Sequence, residues 1–407
     1  MSDTKRLAIL GAGPVGIEAA TRAVQLGFDV TVFERGRVGE HVRNWSHVEL
    51  FSPWKLNRSP WGTAVLAEHG ISFDDEVFPT GGEFLEQYLE PLAHSALLEG
   101  RIHEQTEVLS VSRRDAFKGQ FIGRRQGHAG PFLIHVRRGE EERYEEADVV
   151  VDTTGSYRHP RALGPGGMAA LGERRCEAMI ERYIPDLAGE ARETYAGKRV
   201  LVVGGGYSAV TSLQELRALK TEAPGTQISW LVLDEAPYDR IADDPLPQRD
   251  RLARLGNDAA SGKVEGITPL VGAVLTRLTP TGEGAVEVTM HRGGSEQTFV
   301  VDRVVANVGY RPDTELYREV QVHLCYASEG PMKLAASLLA AGGGSGDCLA
   351  QSSAGVETLM NPEPDFFVLG MKSYGRGSAF LLKLGVEQVE QVMGHLAAPP
   401  SARSDEA

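Results

Sequence analysis

After a short polar start the chain runs into an unbroken apolar stretch, Arg6-Leu-Ala-Ile-Leu10, which predicts a buried parallel strand. A glycine turn follows, Gly11-Ala-Gly13-Pro14-Val-Gly16. Apolar residues then recur at helical spacing (Ile17, Ala20, Ala23, Val24) and stop at Gly27, predicting a helix over 17–26. A second strand, Asp29-Val-Thr-Val-Phe33, ends at Glu34. The same succession returns later in the chain. Strand Lys198-Arg-Val-Leu-Val-Val203 leads into Gly204-Gly-Gly206-Tyr207-Ser208-Ala209, an amphipathic helix through Leu219, and strand Gln227-Ile-Ser-Trp-Leu-Val-Leu233, closed by Asp234. The interval from Gly11 to Gly204 is domain-sized, so the pattern is a duplicated domain and not a solenoid period.

Each succession is followed by strand-rich stretches that end on a small glycine turn. Strands over 108–112, 132–136 and 147–151 lead into Asp152-Thr153-Thr154-Gly155, and strands over 274–278, 286–290 and 299–307 lead into Val308-Gly309-Tyr-Arg-Pro-Asp313. Such turns bring backbone close either to a ligand or to another domain. The C-terminal unit reads as strand Phe366-Phe-Val-Leu369, loop Gly370-Met-Lys372-Ser373-Tyr374-Gly-Arg376-Gly377, and a helix over 379–396 with a buried stripe of Leu382, Val386, Val389, Met393 and Leu396. That order can aim a helix N-terminus at the electron-rich edge of a ligand. Residues 340–353 read either as a loop beside an active site or as a surface connection, and 397–407 as a flexible tail.

Composition narrows the class. Hydrophobic residues make up 42 % and charged residues 24 %, as in an ordinary globular protein, while 47 of 407 residues are glycine, against a usual share of about 7 %. The formal charge is −14, and basic residues cluster only as short pairs such as Arg113-Arg114, Arg124-Arg125 and Arg137-Arg138. Nucleic acid and anionic membrane surfaces are therefore not expected partners. Cys176, Cys325 and Cys348 are dispersed, with no C-x-x-C or C-x4-C pair, which implies neither a disulfide scaffold nor a dithiol redox centre. No run approaches the ~20 apolar residues of a membrane span and no secretory h-region is present, so a cytoplasmic protein is expected. A homodimer is the expectation from symmetry priors. No metal cluster is legible.

The first succession has the full context of a dinucleotide fingerprint. Gly11 permits the tight turn, Gly13 lets backbone N–H groups approach a pyrophosphate, and Gly16 allows close packing of helix on strand. Glu34 stands where a ribose-binding acid belongs. Two such fingerprints a domain apart, with the glycine turns after later strands, resemble the two-dinucleotide-binding-domain flavoproteins. These include the flavin-containing monooxygenases and the pyridine nucleotide-disulfide oxidoreductase superfamily, here without the redox dithiol. The resemblance implies an α/β chain: an FAD-binding Rossmann-like three-layer domain, residues 1–160 and 306–396, with an inserted NAD(P)-binding Rossmann-like domain, residues 161–305. It implies FAD contacts from Gly11, Gly13, Pro14, Gly16, Glu34, Arg35, Trp45, Val108, Thr154, Gly155, Gly370, Lys372 and Ser373. Nicotinamide dinucleotide contacts would come from Gly204, Gly206, Tyr207, Ser208, Asp234 and Gly309. An acid at Asp234 accepts from a free 2′-hydroxyl and repels a 2′-phosphate, which leans towards NADH over NADPH, although Arg240 and Arg249 lie on the following stretch and can reach back.

Two features bear on the reaction. Gly39-Glu-His-Val-Arg-Asn-Trp45, followed by His47-Val-Glu-Leu-Phe-Ser-Pro-Trp54 and Asn57, and the Gly204–Ala209 turn look like the corresponding stretches of flavin-containing monooxygenases, while Leu50–Trp54 with Lys372–Arg376 also resembles bacterial flavoproteins of undefined reaction. The monooxygenase Phe-x-Gly-x-x-x-His signature is missing, since Gly155-Ser-Tyr-Arg-His-Pro160 does not match it. The resemblance implies an NAD(P)H-reduced flavoenzyme that uses O2 to oxygenate a small molecule at nitrogen, sulfur or a carbonyl carbon. The alternatives are an NAD(P)H:acceptor oxidoreductase or oxidase without oxygen insertion, and a flavin-based redox sensor. Candidate catalytic residues are Asn57 at the flavin edge, Lys372 beside the flavin N1/C2 carbonyl, Tyr374 on the substrate side and His47 for acid–base work. Each has a plainer reading: a turn residue, a solvated loop lysine, a loop tyrosine, a structural histidine. Trp45, Trp54 and Trp61 are either flavin walls or core and surface aromatics.

Overall fold

A computed structural model describes residues 4–282, 284–341 and 353–399. Most of the glycine-rich 340–353 stretch, Cys348 and nearly all of the tail from Ala397 lie outside them. The chain divides into two compact units, one of residues 1–46, 52–159 and 311–407, the other of residues 47–51 and 160–310.

The first unit is built on a five-stranded parallel sheet in the order Phe366–Val368, Val149–Asp152, Arg6–Leu10, Asp29–Phe33, Ile102–His103. The two-residue alternation of a strand explains its layers. Leu7 and Ile9 pack among helices Pro14–Gln25 and Leu382–Ala397, while Ala8 and Leu10 pack on the other face against Phe132, Ile134 and Val136. Those three belong to an antiparallel meander, Glu107–Arg113, Phe132–Arg138 and Glu141–Ala147. Helices, parallel sheet and meander form the three layers.

The second unit repeats the plan. Its parallel sheet runs Ile267–Val271, Gln227–Val232, Arg199–Val203, Arg303–Ala306, Ile180–Glu181. Val200 and Val202 face helices Tyr207–Glu222 and Pro247–Ala260, whereas Leu201 and Val203 face a second meander, Val274–Pro280, Val286–Arg292 and Ser295–Val301. In both sheets the first strand lies between its successor and a strand that returns from the meander. That reversal of strand order opens a crevice at the carboxyl end of the first strand.

Local detail departs from the sequence pattern in three places. The first helix begins at Pro14, because a proline at the first helical position has no N–H to lose. The apolar run 299–307 is two strands, Ser295–Val301 and Arg303–Ala306, broken at Asp302, whose carboxylate accepts from the Arg199 backbone N–H and side chain. The C-terminal helix spans Leu382–Ala397, and its buried face is turned from the expected stripe. Leu384, Gly385, Gln388 and Val392 join Val389, Met393 and Leu396 inside, while Leu382 and Val386 are only half-buried. On that face Gln388 is held inside by two polar partners described below.

Candidate dinucleotide sites and the groups around them

In the first unit the turn after Arg6–Leu10 is shaped by contacts that tolerate no side chain. A Cβ on Gly16 would fall 2.0 Å from the Gly11 carbonyl oxygen and 2.7 Å from Thr153 Oγ1, so helix and strand meet there backbone to backbone. Gly11 has φ +95°, a conformation that favours glycine. Gly13 differs from both: a Cβ there meets nothing within 4 Å, and the backbone is extended. Gly13 is the N-cap of helix Pro14–Gln25, with no side-chain cap and no acid in the first turn. Uncapped N–H groups facing open space at a helix N-terminus suit a pyrophosphate. Glu34 lies beside them, accepting from the Ala12 N–H at 2.8 Å and the Gly36 N–H at 2.7 Å. Burial pushes its carboxyl above the usual range and the two N–H bonds oppose that rise. Each carboxylate oxygen keeps a lone pair for a ribose hydroxyl.

Buried polar atoms of the following segment lack a hydrogen-bond partner, among them His41 Nδ1 and Trp45 Nε1, while Arg35 Nη1 makes only a 3.8 Å ion pair with Glu107. Buried polar groups ordinarily find partners, so orphans beside a dinucleotide turn fit a missing polar ligand. The Trp45 ring rests on Gly81, where a Cβ would come within 2.4 Å of it. Burial, with Arg35 near, holds His41 below its ordinary value, which keeps the imidazole neutral at pH 7. These features fit FAD.

The turn after Val149–Asp152 is tied to the C-terminal loop by a buried ion pair. Lys372 and Asp152 are both fully buried, with Lys372 Nζ 2.6 Å from Asp152 Oδ2 and 2.9 Å from Thr154 Oγ1. Asp152 Oδ1 accepts from the Thr154 N–H and hydroxyl. Lys372 Nζ also lies 5.0 Å from the centre of the buried Tyr317 ring, a cation–π distance. Farther along, Gly370 N–H donates to Gln388 Oε1, Gln388 Nε2 donates to Ser373 Oγ, and Ser373 Oγ donates to the Gly370 carbonyl. Gly370, with φ +73°, sits against Val15 of the first helix, and Gly155, with φ +69°, has open space beside it. The loop is therefore a braced shelf. Lys372 is not the solvated loop lysine of the plainer reading: it is fully buried, with its ammonium turned inward onto Asp152, Thr154 and Tyr317.

Other expected residues are placed differently from one another. Asn57 is 2 % exposed, and both its amide N–H groups donate to the carbonyls of Ser52 and Pro53 while its oxygen accepts from Ser52 Oγ. It is the turn-holding residue, with no N–H left over for a flavin. Tyr374 is buried in the core, edge-on to Phe380, and burial pushes its phenol up to about 12. Arg376 pairs with Glu329. Trp54 is a core residue packed on Phe73, and Trp61 Nε1 donates to the Glu18 carbonyl. Val108 is half-buried at an irregularity in the meander. His47 belongs to the second unit, its Nε2 buried and without a hydrogen-bond partner.

The second unit presents a parallel arrangement. Gly204 has φ +131°, and a Cβ on it would lie 2.1 Å from the Asn307 carbonyl oxygen, so the turn after Arg199–Val203 abuts the Asn307–Gly309 turn. Asn307 is anchored by Ser212 Oγ and by the Tyr183 carbonyl. Gly206 is the extended, exposed N-cap of helix Tyr207–Glu222, again with no side-chain cap, no acid in the first turn and nothing within 4 Å of a Cβ. Ala209, fully buried, takes the third fingerprint position, and Ser208 is exposed. Gly309, with φ +82°, is exposed, and its carbonyl accepts from Arg161 N–H. Asp234 is exposed just beyond Gln227–Val232. The two arginines on the stretch after Asp234 are engaged elsewhere: Arg249 is buried against Asp244 at 2.7 Å, and Arg240 pairs with Asp250 at 3.2 Å.

The pattern did not reveal the partner of Lys372, yet a signal was present. A lone acid closing the apolar strand Val149-Val-Val-Asp152 must be paired if it is buried. A second buried acid, Glu18 on the first helix, accepts from Tyr88 and Ser59 and has no sequence signal beyond its inward position.

Among the described residues Cys176 is buried in the second unit and Cys325 half-buried in the first, neither in a disulfide, and no group of three acidic, histidine or cysteine residues could hold a metal. No described helix is long and apolar enough to cross a membrane.

Comparison with known proteins agrees with this architecture. The chain is 24 % identical over 317 residues to a dihydrolipoyl dehydrogenase of Halobacterium salinarum, covering 76 % of this chain and 57 % of that protein. It is 28 % identical over 225 residues to the flavin-containing monooxygenase FMO GS-OX-like 3 of Arabidopsis thaliana, covering 50 % of this chain and 46 % of that protein. The chain thus spans about half the length of these two relatives. Among solved structures, bacillithiol disulfide reductase Bdr from Bacillus cereus shares the fold with a TM-score of 0.69 at 18 % identity, over 97 % of this chain and 99 % of that one. The pyridine nucleotide-disulphide oxidoreductase model matches residues 5–330, and the chain belongs to that family of FAD- and NAD(P)H-dependent oxidoreductases.

Proposed function

We propose that the first unit holds FAD and the second NAD(P)H, and that the enzyme is a monooxygenase acting on a small molecule. FAD supplies the electron chemistry that no side chain of the chain offers. The residues act around it. The N–H groups at the head of Pro14–Gln25 would bind the pyrophosphate, Glu34 would hold the ribose, and His41 Nδ1 and Trp45 Nε1, which have no hydrogen-bond partner, would serve the cofactor, with Arg35, ion-paired to Glu107, beside them. The Asp152–Lys372 pair braces the turn and shelf against which it lies.

The observation that carries the reading is the distribution of thiols. The sequence holds only Cys176, Cys325 and Cys348, with no C-x-x-C or C-x4-C pair, so it offers no sequence-legible dithiol relay to a disulfide substrate. Electrons then pass straight from the cofactor to an external acceptor. The likeness to a flavin-containing monooxygenase and the Gly204–Ala209 turn support O2 as that acceptor. The missing Phe-x-Gly-x-x-x-His signature favours a second reading, an NAD(P)H:acceptor oxidoreductase without oxygen insertion. The exposed acid at Asp234, with both nearby arginines occupied, supports NADH as the reductant.

The test is oxygen consumption by the holoenzyme with NADH or NADPH against a panel of amines, thioethers and ketones under 18O2. Label in an organic product, with less peroxide formed when that substrate is added, supports oxygenation. Stoichiometric peroxide with every compound, or rapid reduction of quinones without label, selects the second reading.

A further inference from the structure

We propose that Tyr238 is a positioning residue of the second dinucleotide site, holding the Gly206–Tyr207 peptide so that its N–H edge faces the pyrophosphate of NAD(P)H. The inference rests on the second unit being the NAD(P)H module. Tyr238 lies on the stretch between strand Gln227–Val232 and helix Pro247–Ala260, and is 7 % exposed. Its hydroxyl donates to the Gly206 carbonyl at 2.9 Å. That carbonyl also accepts from the Ala209 and Val210 N–H groups inside the helix, at 3.0 and 3.4 Å.

A trans peptide is planar, with C=O and N–H pointing in opposite directions. Fixing the Gly206 oxygen towards Tyr238 therefore fixes the next N–H towards the other side, where the extended Gly206 backbone leaves open space. The same hydrogen bond turns a carbonyl dipole that would repel phosphate back into the protein. The neighbouring glycine is treated alike: the Gly204 carbonyl accepts from the fully buried Trp230 Nε1 at 2.8 Å. Two aromatic donors thus hold two glycine carbonyls of one turn from behind. In the first unit's turn Thr153 Oγ1, and not an aromatic group, donates to the Gly11 carbonyl.

Tyr238 is built to hold this position. Its backbone N–H donates to Asn257 Oδ1 and its carbonyl accepts from Asn257 Nδ2, a reciprocal pair that clamps it to helix Pro247–Ala260. The ring rests against Gly256, where a Cβ would come within 2.2 Å of it, and packs 5.2 Å from the Tyr207 ring, which in turn meets Phe51 at 5.2 Å. A tyrosine clamped at backbone and ring, with its hydroxyl aimed at one carbonyl, has little freedom to do anything else.

The test compares Tyr238→Phe with the unaltered holoenzyme, using ADP-ribose, which carries the pyrophosphate, and adenosine, which does not. Loss of one neutral hydrogen bond should weaken ADP-ribose binding about fivefold and raise the KM for NADH by a similar factor, the loss falling on KM more than on kcat. Adenosine affinity should change by less than about twofold. Gly256→Ala, which forces the ring to move, should act in the same direction. An ADP-ribose affinity unchanged in Tyr238→Phe overturns the inference, and so does an equal loss for adenosine. An unaltered holoenzyme that binds neither ADP-ribose nor NAD(P)H overturns the assignment of the second unit along with it.

Discussion

Replacing Lys372 by methionine keeps the length and apolar stem of the side chain but removes the ammonium from a fully buried site. At 2.6 Å and an effective dielectric of ~20, the Lys372–Asp152 attraction is about 6 kcal/mol before desolvation is counted. Desolvation of two ions offsets most of that, so the pair itself contributes little. Removal of one partner is a different matter. Asp152 would remain as a buried anion, held only by the Thr154 N–H and hydroxyl, and such a group costs about 3–5 kcal/mol. Lys372→Met should therefore lower the thermal midpoint of the holoenzyme by on the order of 10 °C. Asp152→Asn should do the same from the other side. The double variant Asp152→Asn/Lys372→Met removes both charges and keeps an acceptor for Thr154, so it should be more stable than either single variant. Calorimetry on the four proteins, at saturating FAD and without it, measures the coupling. A midpoint within about 2 °C of the parent for Lys372→Met, or a double variant whose loss equals the sum of the singles, would refute the reasoning.

Three further outcomes follow from the geometry. Gly13→Ala should fold with an unchanged far-UV spectrum and bind FAD more weakly, because the added methyl meets only the open space before the helix, whereas Gly16→Ala should lose stability, its Cβ falling 2.0 Å from the Gly11 oxygen; equal stability of the two would contradict this. Glu18 is buried against Tyr88 and Ser59, and burial raises its carboxyl above the ordinary glutamate range, so the native state binds the proton more tightly than the unfolded chain. Its contribution is full below the ordinary value and is lost as pH rises through the raised one. The stability of Glu18→Gln relative to the parent should accordingly grow as pH rises from about 4 to 8, and a pH-independent difference in urea unfolding would count against it. Asp234→Arg should raise kcat/KM for NADPH relative to NADH, and an unmoved ratio would remove the role given to this acid.

Much of the architecture was legible in local pattern. Strand, glycine turn, helix, strand and acid recur because each is dictated by neighbours in the chain: apolar runs for buried strands, 3.6-residue spacing for the helix, glycine where φ is positive or backbones touch. Gly11, Gly16 and Gly204 illustrate this, their need for glycine being written into turns only a few residues long. The meander strand Glu141–Ala147 is not legible in the sequence, since it is glutamate-rich, its exposed residues include Tyr144, and only Ala147 is fully buried.

By itself, then, the sequence determined two dinucleotide turns on two α/β units, the acids that follow them and the dispersal of the thiols. Tertiary structure alone decided what the polar side chains do. Lys372 reads as a surface lysine or a cofactor contact until the fold brings Asp152, 220 positions away, to its ammonium. Asn57 reads as a catalytic amide until its three hydrogen bonds close on its own turn. Tyr238 carries no motif, and acquires a role only when its loop folds back on Gly206. The physical reason is common to all three. Periodicity and glycine placement are short-range properties of the chain, whereas the environment of a charge or a hydroxyl is set by partners that the topology, not the neighbouring sequence, delivers.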